Sequence, residues 1–178
     1  MDEFKSIKPL TDDDIANIIT LISKKGIEHV DKANKLFVDF KNGINVMIGM
    51  LDDYLSVKDG MKKSLSDEDI EEKAELDRLK RLIGFTPDDQ LFLRCKDKIW
   101  VTRNHLVNKN IDWFINIEYN HLIKKDQNKT FIETLIGIFK NIIKDLNDNQ
   151  SDVEQKNKYW AQIHYLLNIV ARFQALIQ

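Results

Sequence analysis

The chain has 178 residues, a net charge of −2, 43% hydrophobic residues and 31% charged residues. That balance suits a single soluble globular domain and excludes any general electrostatic pull towards nucleic acid or acidic membrane. Two prolines, six glycines and one cysteine exclude a loop-rich β protein and an internal disulfide.

Residues 1–10 read as an extended N-terminal segment closed by Pro9. A single helical domain is expected over 11–178. Thr11 is placed to cap a first helix whose opening turn is Asp12-Asp13-Asp14. Acidic side chains there complement the positive end of the helix dipole. Ile15, Ile18, Ile19 and Ile22 form its apolar face, and Gly26 is a suitable C′ stop.

The next stretch, 27–57, organises the chain. Val30, Phe37, Ile44 and Leu51 recur at steps of seven, and Ala33, Phe40, Met47 and Tyr54 repeat that step three residues on. An α-helix puts these eight side chains on one stripe. The flanking positions carry Ile27, Leu36, Ile48, Met50 and Leu55, with Lys41 as their one formal charge. So broad an apolar face predicts a helix enclosed by several neighbours of its own chain, not a two-stranded coiled coil. Gly43 and Gly49 interrupt the run, as sites of close approach or bending.

Lys58 to Leu65, polar and containing Gly60, reads as the first real loop, after which Ser66 is placed to cap a third helix. Its acids (Asp67, Glu68, Asp69, Glu71, Glu72) precede its bases (Arg78, Lys80, Arg81), a gradient that matches the macrodipole. Ile70, Ala74, Leu79, Leu82 and Ile83 are expected to face the long helix. Thr86-Pro87-Asp88-Asp89 predicts a fourth helix with Pro87 at N1. Phe92, Cys95, Ile99 and Leu106 share its apolar face, and Asn108-Lys109-Asn110 breaks it. A short helix is expected over 111–124. Thr130-x-x-Glu133 and Ser151-x-x-Glu154 are capping-box patterns for two last helices. The first carries Phe131, Leu135, Ile138, Phe139, Ile142 and Leu146. The second carries Ile163, Leu166, Val170, Phe173 and Ile177. The fold expected is an all-α, single-domain bundle of about seven helices. The long helix and the last two are expected innermost.

Signs of chemistry are few. The phosphate-binding, zinc-protease and nucleophile-elbow motifs are missing. Cys95 lies on an apolar face and reads as a small buried hydrophobe. Glu118-x-x-His121 has the spacing of di-metal helical bundles, but no second Glu-x-x-His pair accompanies it. No catalytic, metal or cofactor site is therefore assigned, and a metal-dependent bundle enzyme is the remotest alternative.

One basic run stands out. Between residues 94 and 109, Arg94, Lys96, Lys98, Arg103 and Lys109 face Asp97 alone, a local balance of +4. On one continuous helix Arg94, Lys98 and His105 would share a side, with Lys96 and Arg103 on another. Such cations with Trp100 among them suit phosphate contact and base stacking. Long basic side chains also commonly flank a buried face.

Near the end, Tyr159-Trp160-x-x-Ile163-His164-x-Leu166-Leu167 resembles Trp-x-x-(Ile/Leu)-His-x-Leu-(Leu) helices in uncharacterised all-helical proteins of large DNA viruses. The resemblance is confined to residues 159–167. It implies no activity and transfers no functional residue. The abundance of Ile, Lys, Asn and Asp, as in proteins of AT-rich genomes, agrees with it. The Asn-Trp-Gly-Arg signature of Bcl-2-like folds is missing.

The expected function is non-catalytic: protein–protein interaction or assembly, with an unknown partner or by self-association. The alternative is nucleic-acid binding through 94–109. The candidate surface comprises Arg94, Lys98, Trp100, Arg103, Lys109 and Trp113. No run approaches the ~20 apolar residues needed to span a bilayer. The first residues carry no apolar signal core, so an intracellular location is expected.

Overall fold

Alternating apolar periodicity and capping signals are realised as helix throughout the computed structural model, which describes residues 7–61, 67–116, 131–148 and 153–178. Among the described residues there are eight helices and no strand. They are α1 (Asp12–Lys24), α2 (Ile27–Met61), α3 (Asp67–Phe85), α4 (Asp88–Val101), α5 (Arg103–Val107), α6 (Ile111–Asn116), α7 (Phe131–Asp148) and α8 (Val153–Ile177). The all-α bundle is as expected. None of these helices is long and apolar enough to cross a membrane.

The first helix starts as its sequence dictates. Asp14 N–H donates to Thr11 Oγ1 at 3.1 Å, and Thr11 N–H donates to Asp14 Oδ2 at 2.9 Å, a reciprocal capping box. Those bonds hold the Asp14 carboxyl below the usual carboxylate range. Gly26 turns the chain with φ +112°, a left-handed conformation that suits glycine.

The spine α2 has 35 residues, about 52 Å of helix, and it runs on to Met61, past Val57 and into the stretch expected to be loop. It packs against α1, α3, α4, α7 and α8 of its own chain. Ala33, Phe37, Phe40, Ile44, Met47 and Leu51 of the heptad stripe are buried, as are Leu36, Ile48 and Leu55 beside it. Ile27 does not join them. It is 80% exposed, because it opens the helix at the bundle's edge straight after the Gly26 turn.

Helix α8 runs antiparallel to α2: Phe37 meets Phe173, and further along Gln162 Nε2 donates to the Gly43 carbonyl at 2.9 Å. Beyond that, Tyr159 OH donates to the Met50 carbonyl at 3.2 Å. At the core's centre Phe92 meets Phe37, Phe40 and Phe173 with centroid separations of 5.3, 5.1 and 4.9 Å. Aromatic pairs of this geometry add about 0.5–1.5 kcal/mol each beyond burial. Because Phe92 sits there, α4 joins α2 and α8 in the inner layer, which the sequence reading did not anticipate. Leu176 and Ile177 are still packed on the core, and the Gln178 carbonyl accepts from Lys25 Nζ at 3.1 Å.

Helix α3 turns a different face to the spine from the one expected. Leu79 and Ile83 are buried, together with Leu76, Asp69 and Glu72 on the same stripe. Ile70 and Leu82 are exposed at 53% and 42%, and Ala74 is exposed with them. Polar contacts flank this face. Lys80 Nζ lies 3.0 Å from Asp52 of α2, and Asn141 Nδ2 of α7 donates to Glu72 Oε1 at 2.9 Å.

The α3–α4 corner is clipped to the spine by Lys41, which donates to the Thr86 carbonyl at 2.7 Å and pairs with Asp88 at 3.3 Å. The lone flanking charge of α2 therefore has a structural task. Pro87 is the N-cap, one residue outside its expected N1 place, and Thr86 Oγ1 bonds back to the Leu82 carbonyl. Ser66, residues 117–124, Thr130 and Ser151 lie outside the described residues.

Candidate interaction surface

The basic run does not lie on one continuous helix, because the helix breaks at Thr102. Its buried hydroxyl is shared between the carbonyls of Lys98 and Ile99, both at 3.0 Å. Back-bonding of this kind bends helices, and here α4 ends at Val101 while α5 restarts at Arg103. The break falls before Asn108-Lys109-Asn110, where the sequence pattern placed it. That second break is also real: Lys109 closes α5 with φ +53°, and Asn110 caps the next turn by accepting from the Trp113 N–H at 3.3 Å.

Each cation has found its own surroundings. Arg94 reaches the Leu10 carbonyl at 3.0 Å and Asp12 at 2.6 Å, fastening the residues before α1 to α4. Lys96 is buried and pairs with Asp97 at 2.7 Å. Lys98 pairs with Glu133 of α7, its side chain only 6% exposed. Burial lowers its pKa by disfavouring the charged ammonium. Arg103 lies over the Trp100 ring, 4.5 Å from its centroid, and donates to the Trp100 carbonyl at 2.8 Å. Lys109 is exposed.

The two tryptophans are both half-buried. They form separate stations: Trp100 under Arg103, and Trp113 stacked flat on His105 at 4.1 Å and 7°. Trp113 also meets buried Phe114 edge-on at 4.9 Å. Val107 is exposed on α5 between them in sequence. Trp100 under Arg103 and Trp113 on His105 thus offer two aromatic stations, the first with a guanidinium already in place.

A second concave feature escaped sequence reasoning. Tyr54, Asp69, Glu72, Asn141, Lys144 and Asp145 line an open cleft of about 190 Å³ between α2, α3 and α7. Tyr54 OH donates to Asp145. Burial first, and this bond second, raise the Tyr54 pKa, so the phenol stays protonated. Asp69 and Glu72 had been assigned to the helix dipole. The available signal was the stripe Glu72, Leu76, Leu79, Ile83, which runs back through the carboxylates at helical spacing.

Among the described residues no group of three or more His, Cys, Asp or Glu side chains is placed to hold a metal ion. Glu118 and His121 lie outside those residues. Burial pushes the Cys95 thiol up to about 12, which disfavours the reactive thiolate.

The chain matches no known family, curated protein or solved structure. Much of the segment 159–167 is engaged in packing. Tyr159, Trp160, Leu166 and Leu167 are buried, Trp160 meets Phe139 edge-on at 5.1 Å, and His164 Nε2 lies 2.8 Å from the Leu106 carbonyl. That last contact fixes α5 against α8, and so sets the platform on which the candidate surface is displayed.

Proposed function

We propose that this chain is a non-catalytic interaction or assembly protein that binds a protein partner through the α4–α6 surface of Trp100, Arg103, Val107 and Trp113. One observation carries the reading. Lys96 and Lys98 are buried in internal ion pairs and Arg94 is engaged by Asp12, while both tryptophans are only half-buried. Nucleic-acid binding needs cations available for phosphate. Protein interfaces instead draw their energy from Trp and Arg anchors ringed by aliphatic contacts. Arg103 held over Trp100 is such an anchor with its rotamer set in advance, which lowers the ordering cost of binding.

The experiment compares quantitative affinity capture from the native source by the wild-type chain and by Trp100→Ala and Val107→Glu variants. A partner lost at least tenfold from both variants supports the reading. A partner captured equally by all three places its binding elsewhere and refutes this surface. Tight, steeply salt-dependent binding to DNA or RNA oligonucleotides would overturn the preference for a protein partner.

A further inference from the structure

Helix α3 carries a second stripe opposite its buried one. Ile70, Ala74, Asp77, Arg78, Arg81 and Phe85 lie on one side at helical spacing, and all are exposed. Phe85 is 86% exposed. Isolated surface apolar residues need no explanation, but this stripe has an internal order. It is symmetric about the point midway between Asp77 and Arg78. Ile70 and Phe85 are equidistant from that point, as are Ala74 and Arg81. The charges divide along the same line, with Glu71 and Asp77 on the N-terminal side and Arg78 and Arg81 on the C-terminal side; Arg78 also donates to Glu75 of its own helix, at 2.8 Å from Nε, and would share its guanidinium between Glu75 and the second copy.

We propose that this face is an isologous dimer interface, occupied by α3 of a second copy of this chain lying antiparallel across a two-fold axis at Asp77–Arg78. In that register Ile70 of each copy packs against Phe85 of the other. Asp77 faces Arg78, Arg81 reaches Glu71, and the Arg81 stem covers Ala74. Each contact occurs twice, as two-fold symmetry requires. Charge complementarity selects the occupant. A uniformly acidic partner would set like charge against Glu71 and Asp77, and a uniformly basic one against Arg78 and Arg81. A parallel copy would oppose like to like along the whole helix. An antiparallel copy satisfies both halves.

The spine, whose heptads invited self-pairing, is enclosed by its own chain and leaves this role to α3. The helix has 19 residues, about 28 Å, so the contact is at the small end for a specific interface and the dimer is weak. This surface is on a different helix from the α4–α6 surface, and neither proposal depends on the other.

Sedimentation equilibrium of the full chain from about 1 μM to about 1 mM tests the idea, a range that covers weak association. The expected result is a mass rising from 20.9 kDa towards twice that value. Phe85→Glu and Ile70→Glu should each weaken association at least tenfold, with circular dichroism unchanged because both positions are exposed. Asp77→Arg and Arg78→Asp should each weaken it, and the two together should restore it. A monomer throughout the range overturns the proposal. So does self-association that both apolar variants leave intact, or a charge swap that fails to restore it.

Discussion

Two glycines on one helix should respond in opposite directions to the same substitution. Gly43 and Gly49 both sit inside α2, where replacing glycine by alanine gains about 1 kcal/mol of helix propensity. At Gly49 a Cβ meets nothing within 4 Å, so the gain is realised. At Gly43 the Cβ lands 2.7 Å from Leu166 Cδ2 and 3.1 Å from Tyr165 Cε1. Tyr165 is exposed and its ring can swing aside. Leu166 is buried and must retreat by roughly 1 Å to regain ordinary contact. A cavity of about 30 Å³ beside Leu166, lined also by Met47 and Phe139, takes only part of that movement. Overpacking of this kind costs about 1–3 kcal/mol, so Gly43→Ala should lose about 1 kcal/mol net. The separation between the two variants is about 1–3 kcal/mol, or roughly 2–4 °C in Tm per kcal/mol for a chain of this size. Urea unfolding followed at 222 nm measures it, read as a shift in midpoint at constant slope. In the double variant Gly43→Ala/Leu166→Ala the two losses should be less than additive, since the clash has gone. If Gly43→Ala and Gly49→Ala stabilise equally, the close α2–α8 approach at Gly43 is wrong.

Three further outcomes test other parts of the fold. Removing Glu133 as Glu133→Leu leaves Lys98 buried without its carboxylate and should cost about 3–5 kcal/mol; adding Lys98→Met should recover most of that, and equal losses in the single and double variants would refute a coupled pair. Tyr54→Phe should cost about 1–2 kcal/mol at neutral pH through the lost bond to Asp145. Because the folded state raises the Tyr54 pKa above its ordinary 10.0, its stabilisation is complete below about pH 10 and fades as pH rises through the folded value. The gap between wild type and Tyr54→Phe should therefore narrow in alkali, and a constant gap in urea midpoints would contradict this. Lys109→Gly should stabilise by up to about 1 kcal/mol, since a left-handed residue other than glycine is strained by roughly 1–2 kcal/mol; thermal melting would show the rise, and a fall would mean that the Lys109 side chain supports the α5–α6 turn.

Much of the architecture was legible from residue spacing alone. The eight heptad positions of α2 are buried or half-buried, and Thr11 with Asp14 closes the capping box that the sequence spells. These features depend on side chains a few residues apart, whose relative placement is set by helix geometry before any tertiary contact exists. Helix α3 shows where that reasoning ends. It has two apolar stripes, one through Leu76, Leu79 and Ile83 and one through Ile70, Ala74 and Phe85. Helical periodicity admits either face. The structure puts the first in the core, where it is flanked by Asp52 and Asn141, on α2 and α7, which hold Lys80 and Glu72.

The same division runs through the candidate surface. That Trp100 and Trp113 are large aromatic groups close to basic residues is plain from the chain. That Lys98 is buried against Glu133, and that the helix breaks at Thr102, is not. Sequence by itself determined which segments coil and where they start, because those choices turn on neighbours within one or two turns. Tertiary structure alone decided which charges are internal and which faces stay in water, because a side chain's burial depends on partners brought together only when distant segments pack.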